Sequence, residues 1–457
     1  MRKALPSGTL TVAVLLAVAI MLGWWALGIR QTRAGRPPAT YAGPTGQVED
    51  VSGPVAFVDV SVITMDSEET LPRHTVLVED GKITAIGPSR SIHVPAGIHR
   101  VDGRGRYLTP GLTDAHTHIS FPEDLLPYVA NGVTTIVNMG SEPDVPILEW
   151  RAEVARGERL GPTIFAARFV DGLREDGPGH AYLVSSEEQV RAAAVAAKAE
   201  GFDLIKAYNR EPGMSGILEA GQVMIVHAEE YLYTHFNRTT DSRLIPSAIE
   251  MTLDAGAYVV PNLSAYEVIA RQWGSRAVLD DFLAMPDLKY AHPFWREYWA
   301  RGRYLDREGS IMGRLDFLRH LTGEFNDAGI PLLLGTDSPP IPGMIAGFSI
   351  HDDLRNLVMS GLSPYEALEA GTRNAGEFFA RYVPGSEPFG TIAVGQRADM
   401  ILLDDNPLED AANLARRSGV MVRGRWLSEA RLQQLMDELA RSFEMGESEA
   451  ALDSLRD

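Results

Sequence analysis

The sequence predicts an α/β protein with three parts. These are a parallel, barrel-like arrangement of strands and helices, a small β-sandwich built from both chain ends, and an N-terminal transmembrane helix. Three observations carry this. Apolar strand-like runs alternate with helical patterns through the middle of the chain. Short alternating strands with turn signals lie before and after that region. An uncharged apolar run of about 20 residues opens the sequence, long enough to cross a bilayer. At 457 residues, 45% of them hydrophobic, the chain can bury a large core and is too long for one small domain.

In chain order, residues 1–36 read as a membrane anchor or signal. Arg2 and Lys3 precede the uncharged run 9–29, with Trp24 and Trp25 near one interface. The apolar core is longer than a secretory signal needs and lacks a clear small-x-small cleavage site, which favours an uncleaved anchor. The expected localisation is therefore membrane-anchored, with the folded part outside the cytoplasm. The chain has no cysteine, which excludes disulfides and thiolate metal ligands. Its net charge is −19, and the first 36 residues carry five basic and no acidic side chains, so the remainder is more acidic still. Such a body disfavours nucleic acid as a partner. A homo-oligomer is compatible with the composition. Residues 37–53 read as a Pro- and Gly-containing linker.

The β-sandwich is expected from 54–109 and 385–428. The first part contains the hairpin Thr75-Val-Leu-Val-Glu-Asp-Gly-Lys-Ile-Thr with Asp80 and Gly81 at its turn. The second part contains Asp399-Met-Ile-Leu-Leu and Gly419-Val-Met-Val. The final segment, 429–457, is expected to be a helix, with Leu432, Leu435, Leu439 and Phe443 as its packing stripe. Between the sandwich halves, 110–384 carries strand candidates at 112–118, 134–139, 163–170, 203–208, 223–228, 257–263 and 331–337. Helical patterns separate most of them, clearly at 186–199 and 247–255. That count is seven, one short of a TIM barrel. An insertion, 265–330, is rich in aromatics, including Trp273, Tyr290, Trp295, Tyr298, Trp299 and Tyr304. These suit either an apolar or aromatic substrate or a small core of the insertion's own.

Polar residues at the C-terminal ends of barrel strands are the informative ones. His116 and His118 are two apart, so on a strand they face the same side and can hold one divalent metal. The alternative is an ordinary surface strand. Lys206 interrupts an apolar strand, where a charged amine is costly to bury. It reads either as a salt-bridged lysine or as one carboxylated by carbon dioxide to bridge two metals. His227 is a core histidine or a ligand. Asp337, in Leu-Leu-Leu-Gly-Thr-Asp-Ser, is a helix cap or a metal ligand that also takes a proton from attacking water.

Several segments together resemble the amidohydrolase superfamily, in its prolidase and imidazolonepropionase-like branch. They are Leu-Thr-Pro-Gly-Leu-Thr-Asp-Ala-His-Thr-His, Phe202-Asp-Leu-Ile-Lys-Ala-Tyr, Val226-His-Ala-Glu-Glu-Tyr, Leu-Gly-Thr-Asp-Ser and Gly390-Thr-Ile-Ala-Val-Gly-Gln-Arg-Ala-Asp-Met. The resemblance implies a (β/α)8 metallo-hydrolase barrel with a composite β-sandwich, one or two divalent metals, usually zinc, and hydrolysis of amide or related C–N bonds. By position it makes His116, His118, Lys206, His227 and Asp337 the metal ligands, with Asp337 also the catalytic base. The substrate it implies is a small molecule or peptide-like compound, such as a dipeptide or N-acyl amino acid.

One departure stands out. The family carries a histidine on strand five and another on strand six, yet Lys206 and His227 are separated by room for a single strand-helix unit. Strand five and its histidine are missing, in agreement with the count of seven. His235 is the candidate substitute. Two further readings follow, a mononuclear deaminase-type amidohydrolase and a catalytically impaired binding protein that keeps the barrel.

Overall fold

The structure, a computed structural model, describes residues 51–140, 145–172, 182–184, 186–208, 214–219 and 221–453. Strands from the two ends of the described chain share one sheet. β1 (Val55–Ile63), β2 (Thr70–Glu79) and β3 (Lys82–Pro88) are followed by β4 (His99–Asp102) and β5 (Tyr107–Pro110). The hairpin between β2 and β3 turns at Asp80 and Gly81, both with positive φ, as a tight hairpin turn requires.

The central region contributes β6 (Leu112–Thr117), β7 (Val133–Asn138), β8 (Thr163–Gly172), β9 (Tyr182–Val184) and β10 (Leu204–Tyr208). After these come β11 (Met224–Val226) and β12 (Tyr258–Val260), then β13 (Met400–Leu403), β14 (Arg417–Val422) and β15 (Arg425–Ser428). The terminal sheet runs β15-β14-β13-β5-β1-β2-β3, with β4 on β1. Its apolar side chains, among them Phe57, Val76, Leu108, Met400 and Trp426, form one core. Arg397 and Asp399, both almost fully buried, pair beneath it, and Arg397 reaches Thr135 Oγ1 on β7 at 2.6 Å, joining the two sheets.

The central strands form a partial barrel. β6, β7, β8 and β10 pair in parallel in that order, and β11 pairs with β12. The segment after Ile330 closes the space between them: Leu332 bridges Val259, and Ser338 bridges Thr117. Among the described residues no strand lies between β10 and β11. The sequence was expected to lack a fifth strand at this place.

Helices cover these strands where the pattern places them. Glu187–Glu200 starts at Ser186, whose hydroxyl accepts from the Gln189 N–H, and stops at Gly201 in the left-handed region. Ile245–Ala255 stops at Gly256 in the same way. The long helix Glu429–Asp453 buries Leu435, Leu439 and Phe443 against Leu126, Ala130 and Tyr290. The aromatic segment folds as helices Arg276–Leu283, Pro293–Ala300 and Met312–Asp327. Tyr290, Trp295, Trp299 and Tyr304 in it are buried, and Phe121 stacks on His292 at 3.6 Å.

The expected membrane-anchored localisation is corrected here. Among the described residues no helix is long and apolar enough to cross a membrane. The run 9–29 on which that expectation rested lies outside the described residues.

One packing feature carries a pH prediction. Neither ring nitrogen of His351 has a hydrogen-bond partner among the described residues, and burial, aided by Arg417, pushes its pKa down to about 3. The folded state therefore keeps this ring neutral. A pKa lowered on folding makes stability fall as pH drops below the unfolded value of about 6.5. This group alone is expected to cost about 2 kcal/mol between pH 6.5 and 5. Chemical denaturation of H351L should show that part of the acid sensitivity gone; a parental slope would exclude His351 as its source.

Candidate metal centre

β6 sets His116 and His118 two residues apart, and their Nε2 atoms stand 3.1 Å from each other. The chain leaving Leu332 runs beside β6. Ala115 N–H donates to Leu334 O, Asp337 N–H to His116 O and His118 N–H to Ser338 O. This register brings Asp337 Oδ1 to 3.0 Å from His118 Nε2 and 3.3 Å from His116 Nε2. No side chain fits at Gly335, because a Cβ there would meet Val260 and the His116 backbone.

Lys206, on β10 and buried, places Nζ 2.8 Å from His116 Nε2. Burial lowers its pKa to about 8, against the opposing pull of Asp337, Glu230 and Glu229. His227, just past β11, sits further out. Its Nε2 is 4.0 Å from Asp337 Oδ2, its Nδ1 3.4 Å from Glu229 Oε1, and its ring lies against that of His116. The structure thus gathers all five sequence candidates around one point, with His227 the most peripheral. His235 does not join them. Its ring bonds the Leu244 carbonyl and Ser247 Oγ at a helix–helix contact.

The electrostatics pull in opposite directions. Burial, reinforced by Lys206, holds His116 well below the ordinary histidine value, so the ring is neutral. Burial would raise Asp337, but positive charge around it, which His116, His118 and His227 carry when protonated and a bound divalent ion would carry otherwise, lowers it. Asp114, fully buried, is pushed up to about 7 by burial, although it accepts from Thr336 Oγ1 at 2.6 Å, Thr336 N–H and His116 N–H.

His227, Asn262 and Asp337 all adopt positive φ, which non-glycine residues rarely do. Three such residues at neighbouring strand ends mark a place where local strain is held by the surrounding structure.

The protonation of His116 and His118 follows from their outer partners. His118 Nδ1 lies 2.9 Å from the Gly140 carbonyl, which can only accept, so the ring hydrogen is on Nδ1. His118 Nε2 is then a bare lone pair. His116 Nδ1 faces the Asn262 side-chain oxygen at 3.2 Å. Two imidazole nitrogens and a carboxylate oxygen therefore converge within 4.8 Å of one another. Ligand atoms on a tetrahedral zinc, at 2.0–2.1 Å from the ion, stand about 3.3 Å apart. The observed spacings of 3.0, 3.1 and 3.3 Å match, and lone pairs so close are stable only around a positive charge. The residues fit a divalent metal.

Asn262 and Asp353 were not singled out by sequence reasoning. Asp353 accepts from Ser264 N–H and Gly335 N–H and is raised to about 6 by burial. For Asn262 a signal existed: a polar residue directly after the strand Tyr-Val-Val-Pro.

The Amidohydrolase family model matches residues 318–427. Adenine deaminase 2 of Agrobacterium fabrum (strain C58 / ATCC 33970) is 26% identical over 332 residues, covering 69% of this chain and 49% of its own length. The chain spans about half the length of the adenine deaminases it matches. An imidazolonepropionase of Shewanella frigidimarina (strain NCIMB 400) is 36% identical over 74 residues, 14% of this chain and 18% of that protein. A crystal structure of a Xaa-Pro dipeptidase with bound methionine superposes with a TM-score of 0.61 at 18% identity, covering 82% of this chain and all of that one, a likeness of fold. Residues 318–427 thus match the Amidohydrolase family model, and over a longer stretch the chain is similar to amidohydrolases in sequence and in fold.

Proposed function

We propose that this protein is a metal-dependent hydrolase of carbon–nitrogen bonds in a small-molecule or peptide-like substrate, a dipeptide or N-acyl amino acid being the class to test first. The observation that carries the reading is the convergence of the His116 and His118 Nε2 lone pairs on Asp337 Oδ1. A divalent ion held by these three groups, zinc in our reading, would supply a Lewis acid that lowers the pKa of water and polarises the substrate.

Asp337 has two tasks on its two oxygens. Oδ1 faces both histidines, whereas Oδ2 is turned toward His227. Oδ2 is therefore the atom to accept a proton from the attacking water and return it to the leaving nitrogen as the C–N bond breaks. His227 borders the same oxygen and orients the substrate or the departing group. Lys206 takes up carbon dioxide at its amine, forming an N–C bond and releasing a proton, and so offers an anionic ligand beside His116. Together with His227 it completes a site for a second ion.

A mononuclear, deaminase-type reading is favoured by one observation. The groups that meet metal-ligand spacing among the described residues are His116, His118 and Asp337, without His227. Assays of dipeptides, N-acyl amino acids and cyclic amidines, with and without a chelator, separate the readings. Chelator-sensitive release of amino acid supports the amidase, and ammonia release from amidines supports the deaminase. Turnover that persists unchanged with the metal stripped would overturn both.

A further inference from the structure

We propose that Asn262 is the positioning residue of this centre: its side-chain amide holds the His116 ring as the Nδ1–H tautomer and so aims the Nε2 lone pair at the metal. The inference rests on the metal-centre reading above. Its logic comes from three hydrogen bonds that leave the amide one orientation.

The side-chain nitrogen of Asn262 lies 2.7 Å from the Gly335 carbonyl oxygen, which can only accept. The side-chain oxygen lies 3.1 Å from the His227 backbone N–H, which can only donate. Turning the amide over would set NH2 against N–H and oxygen against oxygen, in a residue that is fully buried. Oδ1 is therefore an acceptor. Facing it at 3.2 Å, His116 Nδ1 must carry the hydrogen. What remains on that ring is the Nε2 lone pair, which faces Lys206 Nζ at 2.8 Å, His118 Nε2 at 3.1 Å and Asp337 Oδ1 at 3.3 Å.

The backbone supplies a second reason for this residue type. Asn262 follows β12 with φ +53, in the left-handed region that asparagine tolerates better than most side chains. That conformation turns the amide across the strand ends, so one side chain ties together His116 on β6, the chain after β11 and Gly335. Aspartate would keep the acceptor oxygen and tolerate the backbone, but would lose the bond to Gly335. Glycine would accept the backbone and lose the whole amide. The outer partner of a metal-bound histidine fixes its tautomer and raises its basicity, and losing it typically costs 10–100-fold in metal affinity.

The test compares the full chain with N262G and N262D by two readouts. The first is the His116 tautomer, from long-range nitrogen–proton NMR of 15N-histidine-labelled, metal-free protein, assigned with H116Q. The second is zinc affinity by competition with a chromophoric chelator. N262G should lose the single Nδ1–H tautomer at His116 and bind zinc 10–100-fold more weakly. N262D should retain the tautomer and recover most of the affinity, which a purely structural role would not produce. An unchanged Nδ1–H tautomer in N262G overturns the positioning role, as does an N262D that folds and loses affinity as fully as N262G. If N262G does not fold, N262D against the parent decides by the same criteria. Parent protein that binds no zinc overturns the metal reading itself and leaves the tautomer measurement to judge Asn262.

Discussion

Asp337→Asn is expected to lower kcat by about a thousandfold while leaving the fold in place. The amide matches the carboxylate in size, so packing around the chain after Gly335 is preserved. What changes is chemistry. A carboxamide cannot take a proton from water at the Oδ2 position, and it is a neutral, weaker ligand where Oδ1 now meets His116 and His118 Nε2. The loss therefore has two components, and steady-state kinetics at saturating metal isolates the proton-transfer part. Parental kcat in D337N under those conditions would remove Asp337 from the mechanism.

Trp299→Ala is expected to be the most damaging single change away from the metal residues. Trp299 is fully buried, packs with Trp295 and Ile345, and donates its indole N–H to the Pro339 carbonyl at 3.0 Å. Truncation removes a large apolar surface, opens a cavity and leaves that carbonyl unpaired, about 3–5 kcal/mol in all. For a chain of this size that corresponds to a drop in Tm of roughly 3–5 °C. Pro339 lies two residues from Asp337, so KM or kcat should shift as well. W299F keeps most of the volume and loses the hydrogen bond, and should fall between parent and W299A. Equal Tm values for parent and W299A would mean that the helix Pro293–Ala300 is not docked as described.

Much of the architecture was legible because its signals are local. Alternation marked β1 to β3, Asp80-Gly81 marked their turn, and the spacing of Leu432, Leu435, Leu439 and Phe443 marked the last helix. His116 and His118 were legible because a strand period of two puts them on one side. Lys206 and Asp337 stood out as charged groups ending apolar runs. The expected shortage of one strand came from the chain length between Lys206 and His227; among the described residues β10 and β11 belong to separate sheets.

Other features depend on contacts distant in sequence. Asn262 acts on His116, 146 residues away, and on Gly335, 73 residues away; no window of sequence contains those distances. The chain from Pro331 to Ser338 reads as an apolar strand, yet it joins the neighbouring strands only through isolated bridges, at Leu332 and Ser338. Hydrophobicity alone suggested a membrane helix, which the described helices do not provide.

His116, His118 and Asp337 are expected to hold a divalent metal. Metal content of the purified full chain, measured by mass spectrometry of the elements beside an H116A/H118A double variant, tests it most directly. At least one equivalent of a divalent transition metal per parent chain is expected, and its loss in the variant. A parent chain that binds none after zinc is supplied, or a double variant that retains the parental amount, would contradict it.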